Sequence, residues 1–212
     1  MNIQKSWKSL LRDYHYPTIL KDKLIRPYFS RKDLSDPILD VGCGTGYFSE
    51  LFALKKKEVI GIDIHKNIPE KIDFKYYTMN GAKLDFPDNH FGSVLIINVL
   101  SCIDDDKERI KILSEAKRVK KSKAKIYLLS MAENLIEKPI NDELLTTKKL
   151  DENHILLSFK KIDNKRIDIK DIVISDEELK KYLKIAGLRI VKEVSFVYKK
   201  INREIYHMWI LE

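Results

Sequence analysis

The 212-residue chain carries 40 Lys and Arg against 32 Asp and Glu, a formal net charge of +8, with 44% hydrophobic residues and two cysteines. A chain of this length buries about 70% of its unfolded surface, enough for one core and short for two. Two cysteines do not make a disulfide framework, and no run approaches the roughly 20 apolar residues of a membrane span. The start of the chain lacks a cleavable apolar segment and the scattered histidines lack metal-ligand spacing, so the expected compartment is a reducing cytoplasm and the expected metal content is none. Lysine supplies most of the basic charge, in runs at 55–57, 117–125 and 160–170. Recognition of phosphates and bases favours the forked guanidinium, so the charge reads first as solvated surface and second as an RNA-facing one.

Residues 3–33 read as helical, with Trp7, Leu10, Leu11, Tyr14, Ile19, Leu20, Leu24 and Tyr28 apolar and Pro17 and Pro27 dividing the stretch. Strands are predicted at 37–42, 58–64, 74–79, 93–99 and 124–130, with helices after the first, second and fourth. Such alternation means a parallel sheet. The first of these helices covers 47–54, and the one after the fourth strand covers 104–120 with an acid-rich first turn. Region 131–175 breaks the rhythm. Runs at 154–162 and 166–174 predict a hairpin around Asp163-Asn164-Lys165, an insertion suited to a substrate lid, a structural flap or a dimer contact. Ser175 with the acids at 176–178 is a helix start, Gly187 is its stop, and 188–198 and 204–211 form a closing antiparallel pair.

The turn after the first strand is the most informative stretch. Ile38, Leu39 and Val41 lead into Gly42-Cys43-Gly44-Thr45-Gly46, with Asp40 where the strand leaves the sheet. Glycine takes left-handed backbone angles and lets a ligand approach the bare chain. The helix that follows points its N–H groups at that ligand. The second strand ends on Asp63, about 20 residues on, where an acid meets ribose hydroxyls in nucleotide-binding folds. Tyr47 stands where the dinucleotide fingerprint requires a third glycine, which opposes a nicotinamide cofactor.

Five segments now fall in one order: ILDVGCGTG (38–46), VIGIDI (59–64), LDFPDNHFGSVLIINVL (84–100), EAKRVKKSKAKIYLLS (115–130) and EELKKYLKIAGLRIVKE (177–193). In them the chain resembles the class I S-adenosylmethionine-dependent methyltransferases, most closely the small-domain type-11 subgroup. The resemblance implies an α/β fold: a doubly wound, Rossmann-like, seven-stranded, mostly parallel sheet with an antiparallel final strand pair. One domain is expected, with a helical cap at 1–35, a cofactor-binding core at 36–130, the hairpin insertion at 131–175 and the closing helix and strands at 176–212. The implied cofactor is S-adenosyl-L-methionine, held by Asp40, Gly42, Cys43, Gly44, Asp63, Ile64, Asn80, Gly81 and Asn98. Gly42 and Gly44 would admit its methionine and ribose portions, Asp40 its ammonium group, Asp63 its ribose hydroxyls, and Ile64 would flank the adenine. Asn80 stands where an aspartate commonly faces the adenine amino group. Its side-chain oxygen still accepts a hydrogen bond, and Asp85 is the alternative. Gly92 likewise replaces a usual acid.

The expected reaction is methyl transfer to an N or O atom of a small-molecule acceptor, by in-line displacement with the acceptor held about 3 Å away. A hydroxyl acceptor would need a base. His90, His154, His15 and Tyr14 are available, no spacing selects one, and no catalytic residue is assigned. Residues 98–101 lack the Asn/Asp-Pro-Pro-Tyr run of amino-methyltransferases, and Cys102 follows Ser101 rather than the proline of RNA cytosine-C5 enzymes. Two other readings keep the fold: an RNA (tRNA) substrate, or a cofactor-binding, non-catalytic partner subunit motivated by Asn80, Gly92 and the missing base. No membrane partner is expected, and the oligomeric state is not legible.

Overall fold

The computed structural model describes residues 24–32, 34–66, 68, 71–137, 140–143, 145–160 and 166–212. Most of the predicted N-terminal cap, with Tyr14 and His15, lies outside these residues, as does the predicted turn at 163–165. In chain order the strands are β1 (Ile38–Val41), β2 (Val59–Asp63), β3 (Lys75–Thr78), β4 (Phe91–Ile97), β5 (Lys120–Met131), β6 (Leu145–Lys149), β7 (His154–Lys160), β8 (Arg166–Ile172), β9 (Ile190–Tyr198) and β10 (Arg203–Leu211). The helices are α1 (Arg26–Ser30), α2 (Tyr47–Ala53), α3 (Asp106–Val119), α4 (Asn134–Glu137) and α5 (Asp176–Ile185).

Seven strands form one sheet in the order β3-β2-β1-β4-β5-β10-β9. β1 to β5 run parallel, and β10 is antiparallel to both of its neighbours. Every residue of β1, β2 and β4 is buried. Their Ile, Leu and Val runs suit parallel strands covered on both faces. β3 is a largely exposed edge. The chain leaves β1 for β2 and β3 on one side and returns to β4 and β5 on the other. The sheet therefore has its switch point between the carboxyl ends of β1 and β4.

Aromatic packing fixes the near end of the helical cap. Phe29 of α1 is fully buried, and its ring meets Phe48 and Phe52 of α2 and Tyr127 of β5 edge-on at 5.5–5.9 Å. At the closing end, Ser175 caps α5: its hydroxyl accepts from the Glu178 N–H at 3.2 Å, and Glu178 Oε2 accepts from the Ser175 N–H, a reciprocal capping box. Gly187 takes φ +68° just beyond that helix, as the sequence suggests.

Two expectations are corrected, and a third, the hairpin of the insertion, is met by β7 and β8 and extended. The described residues between β2 and β3 adopt bends rather than a helix. β5 begins at Lys120, not 124, because the lysine-rich segment stays extended and Lys120 pairs with Phe91 across a bulge. The insertion is a three-stranded antiparallel sheet, β6-β7-β8, rather than a lone hairpin: the polar run Leu145–Lys149 gains strand structure by pairing with β7. Gly92 is explained by packing. A Cβ there would lie 2.5 Å from the Asp36 carbonyl oxygen, so the usual acid could not be accommodated. Among the described residues no helix is long and apolar enough to cross a membrane.

Truncating Phe29 should open a cavity beneath α1. Phe29→Ala is expected to lower unfolding free energy by about 3–5 kcal/mol, read from the midpoint of urea denaturation.

Candidate functional site: the cleft at the switch point

A cleft opens at the carboxyl ends of the central strands. It is lined by residues 40–45 at the end of β1, 63–65 at the end of β2, 79–81 after β3 and 97–99 at the end of β4. All nine residues singled out in the sequence, Asp40, Gly42, Cys43, Gly44, Asp63, Ile64, Asn80, Gly81 and Asn98, lie along it. Parallel strands bring their exits to one edge, so residues distant in sequence converge there.

The glycine loop is shaped by backbone and by two acids. Gly42 and Gly44 have φ of +66° and +59°, the left-handed region. A Cβ on Gly42 would lie 2.6 Å from Val99 Cγ2, so the loop packs on the exit of β4 by lacking a side chain. Asp63 is 9% exposed: its Oδ2 accepts from the Gly44 N–H at 3.0 Å and its Oδ1 from the His65 N–H at 2.9 Å. Burial pushes the Asp63 carboxyl above its ordinary value, and those two N–H groups oppose the shift. Asp40 is 2% exposed, and its Oδ2 accepts from the Ser49 hydroxyl of α2 at 2.8 Å. Between these acids, the Cys43 thiol is pushed well above its ordinary value, by burial first and then by Asp40 and Asp63. A thiol held protonated is a poor nucleophile.

Asn98 leaves β4 in the left-handed region, at φ +56°. Its N–H donates to the Leu129 carbonyl at 3.0 Å, and its own carbonyl accepts from the Cys102 thiol. Its side chain is buried beside the Tyr206 hydroxyl, and its Oδ1 has no hydrogen-bond partner among the described residues. Asn80 is held on both sides. Its Oδ1 accepts from the Ala82 N–H at 2.8 Å and its Nδ2 donates to Glu108 Oε1 at 3.2 Å.

The base candidates do not gather here. His90 packs on Phe86 and Phe91 before β4, and His154 sits 2.7 Å from Asp151; neither lines the cleft. Asp85 is exposed and also lies off it. Sequence reasoning missed Thr45, His65, Met79, Val99 and Cys102, all within four residues of a named position. It also missed Glu108 and Ile112 of α3, for which only tertiary packing gives a signal.

Comparison with known proteins agrees with the geometry. Residues 39–128 match a family described as a methyltransferase domain. An uncharacterized protein of Methanocaldococcus jannaschii is 26% identical over 184 residues, covering 86% of this chain and 76% of its own length. A solved S-adenosylmethionine-dependent methyltransferase of Methanosarcina mazei superposes with a TM-score of 0.63 at 21% identity, over 87% of this chain and 95% of that one. The CcbJ methyltransferase of Streptomyces caelestis gives 0.67 at 16% identity, over 99% and 98%. Residues 39–128 thus match a methyltransferase domain, and the solved methyltransferases share the fold of the chain.

The half-buried Cys43 thiol, held protonated, should resist alkylation. Iodoacetamide at pH 8 is expected to leave Cys43 unmodified in the native protein and to modify it in denaturant, as read by peptide mass spectrometry.

Proposed function

We propose that the chain transfers the methyl group of S-adenosyl-L-methionine to an N or O atom of a small-molecule acceptor. The observation that carries this reading is the Asp63 carboxylate, which sits at the exit of β2 and holds the glycine loop through the Gly44 N–H. A carboxylate has about four acceptor sites, so two backbone donors leave capacity for two ribose hydroxyls. The bare backbone at Gly42 and Gly44 fits the close approach of the ligand's methionine and ribose portions. Asp40, steadied by Ser49, receives the ammonium group directly or through water. Ile64, 43% exposed, provides an apolar wall for the adenine.

Bound there, the cofactor supplies a methyl group already activated on a sulfonium. The protein's part is to hold the acceptor's lone pair in line at about 3 Å and to exclude water. A neutral amine needs no base for this. A hydroxyl does, and His65 is the imidazole that lines the cleft among the described residues.

The basic run at 117–125 supports the small-molecule reading over an RNA one, because three of its lysines have partners within the fold. Lys120 is 6% exposed with Nζ on the carbonyls of Lys121 and Ser122, Lys121 Nζ donates to the Asp36 carbonyl, and Lys125 ion-pairs with Glu212. An RNA substrate would make log K fall linearly with log[salt]; a flat response is expected here.

Calorimetric titration with S-adenosylhomocysteine, with NADH alongside, tests the cofactor assignment. Micromolar binding to the first and none to the second is expected; the reverse removes the reading. Charge-assisted hydrogen bonds contribute about 1.5–3 kcal/mol each, so Asp63→Ala should weaken binding roughly 10- to 1000-fold. The same bonds need the ionised carboxylate. Because burial raises its pKa, affinity should fall on acidification at a pH above the ordinary carboxyl value of 3.8, and more shallowly in Asp63→Asn.

A further inference from the structure

We propose that Glu108, in the first turn of α3, reads the 6-amino group of the cofactor's adenine, and that Asn80 positions it. This rests on the cofactor reading above and concerns how one end of that ligand is recognised. Ile64, Met79, Val99 and Ile112 give the cleft an apolar lining suited to a flat purine. Asn80 and Glu108 are the polar side chains that line it from the β3 exit and α3.

An exocyclic amine donates, so the cleft must offer an acceptor. Asn80 offers little. One of the two lone pairs of its oxygen already accepts from the Ala82 N–H, and its amide nitrogen, a donor, is turned to Glu108. Glu108 has only acceptors, and the Asn80 amide takes one of about four sites on its carboxylate. Asp85, the other acid near this position in sequence, lies outside the cleft. The carboxylate missing after β3 is therefore returned by α3.

Two features hold Glu108 in place. Gly81 seats the Asn80 loop against β1, since a Cβ there would lie 2.8 Å from Val41 Cγ1, and toward Ile112 of the helix it would make only ordinary contact at 3.6 Å. The next helix residue, Arg109, is 5% exposed; its Nε donates to the Leu100 carbonyl at 3.2 Å and its Nη1 to Asp106 at 2.7 Å. The first turn of α3 is thus pinned to the exit of β4. A 6-oxo purine would put an acceptor against the Glu108 carboxylate, where a 6-amino purine puts a donor. The pair therefore discriminates between the two purines.

The test is calorimetry with S-adenosylhomocysteine and its 6-oxo analogue, S-inosylhomocysteine, on wild type, Glu108→Gln and Glu108→Ala, each checked for an unchanged melting temperature. Wild type should prefer the amino compound by about tenfold or more, a preference of the size one charged hydrogen bond supplies. Glu108→Gln, whose amide donates as well as accepts, should shrink that ratio at least severalfold by gaining affinity for the 6-oxo analogue. Glu108→Ala should lose affinity chiefly for the amino compound. Equal wild-type affinities, or a ratio that neither variant changes, overturn the Glu108 assignment while leaving the cofactor reading intact. Binding of neither compound by wild type overturns both.

Discussion

The Asp63 carboxylate is the constraint on which the cleft depends. It sits at the end of a fully buried strand, where removal from water disfavours its charge. Two backbone N–H groups offset that cost, one from the glycine loop after β1 and one from the turn after β2. The same bonds tie together the two chain segments that leave adjacent parallel strands. The glycine loop has few side chains with which to fix its own course, so an acceptor from the neighbouring strand does so.

Around that tie the sheet works by close approach. Gly42 admits Val99, and Gly61 in β2 admits Cys43 and Phe74; a Cβ on Gly61 would lie 2.9 Å from each. The loop, the β2 strand and the β4 exit are thereby packed to contact without a bulky side chain between them. Asp40 and Ser49 then fasten the loop to the start of α2. The result is a cleft with a wall of backbone and acids and an apolar lining, the division of labour that a ligand with a charged tail, a sugar and a flat base requires.

Helix α3 links this wall to the closing half of the chain. Arg109 reaches the Leu100 carbonyl beside the cleft and the Tyr182 hydroxyl of α5, and that hydroxyl donates to Asp106 at 2.6 Å. A buried guanidinium is tolerable only when its donors are used, and here they bridge three elements. The segment after β4 is also contacted by β8 of the inserted sheet. Insertion, closing helix and cleft are thus mechanically joined.

The sequence by itself determined the strand–helix alternation, the glycine turn, the acids at 40 and 63 and the serine-capped last helix. Each of these is local: an apolar run, a residue that tolerates positive φ, or a cap within four residues of its partner. Tertiary structure decided the rest. The run Leu145–Lys149 became a strand because a neighbour offered its hydrogen bonds, and the lysines of β5 stayed extended because β4 did the same. Gly92 exchanged an acid for contact with the Asp36 carbonyl, at a distance in sequence that no pattern reports. Glu108 reached Asn80 only through the packing of α3 on the sheet. Pairing and burial between distant segments set those positions, and neither is written in the period or composition of a single segment.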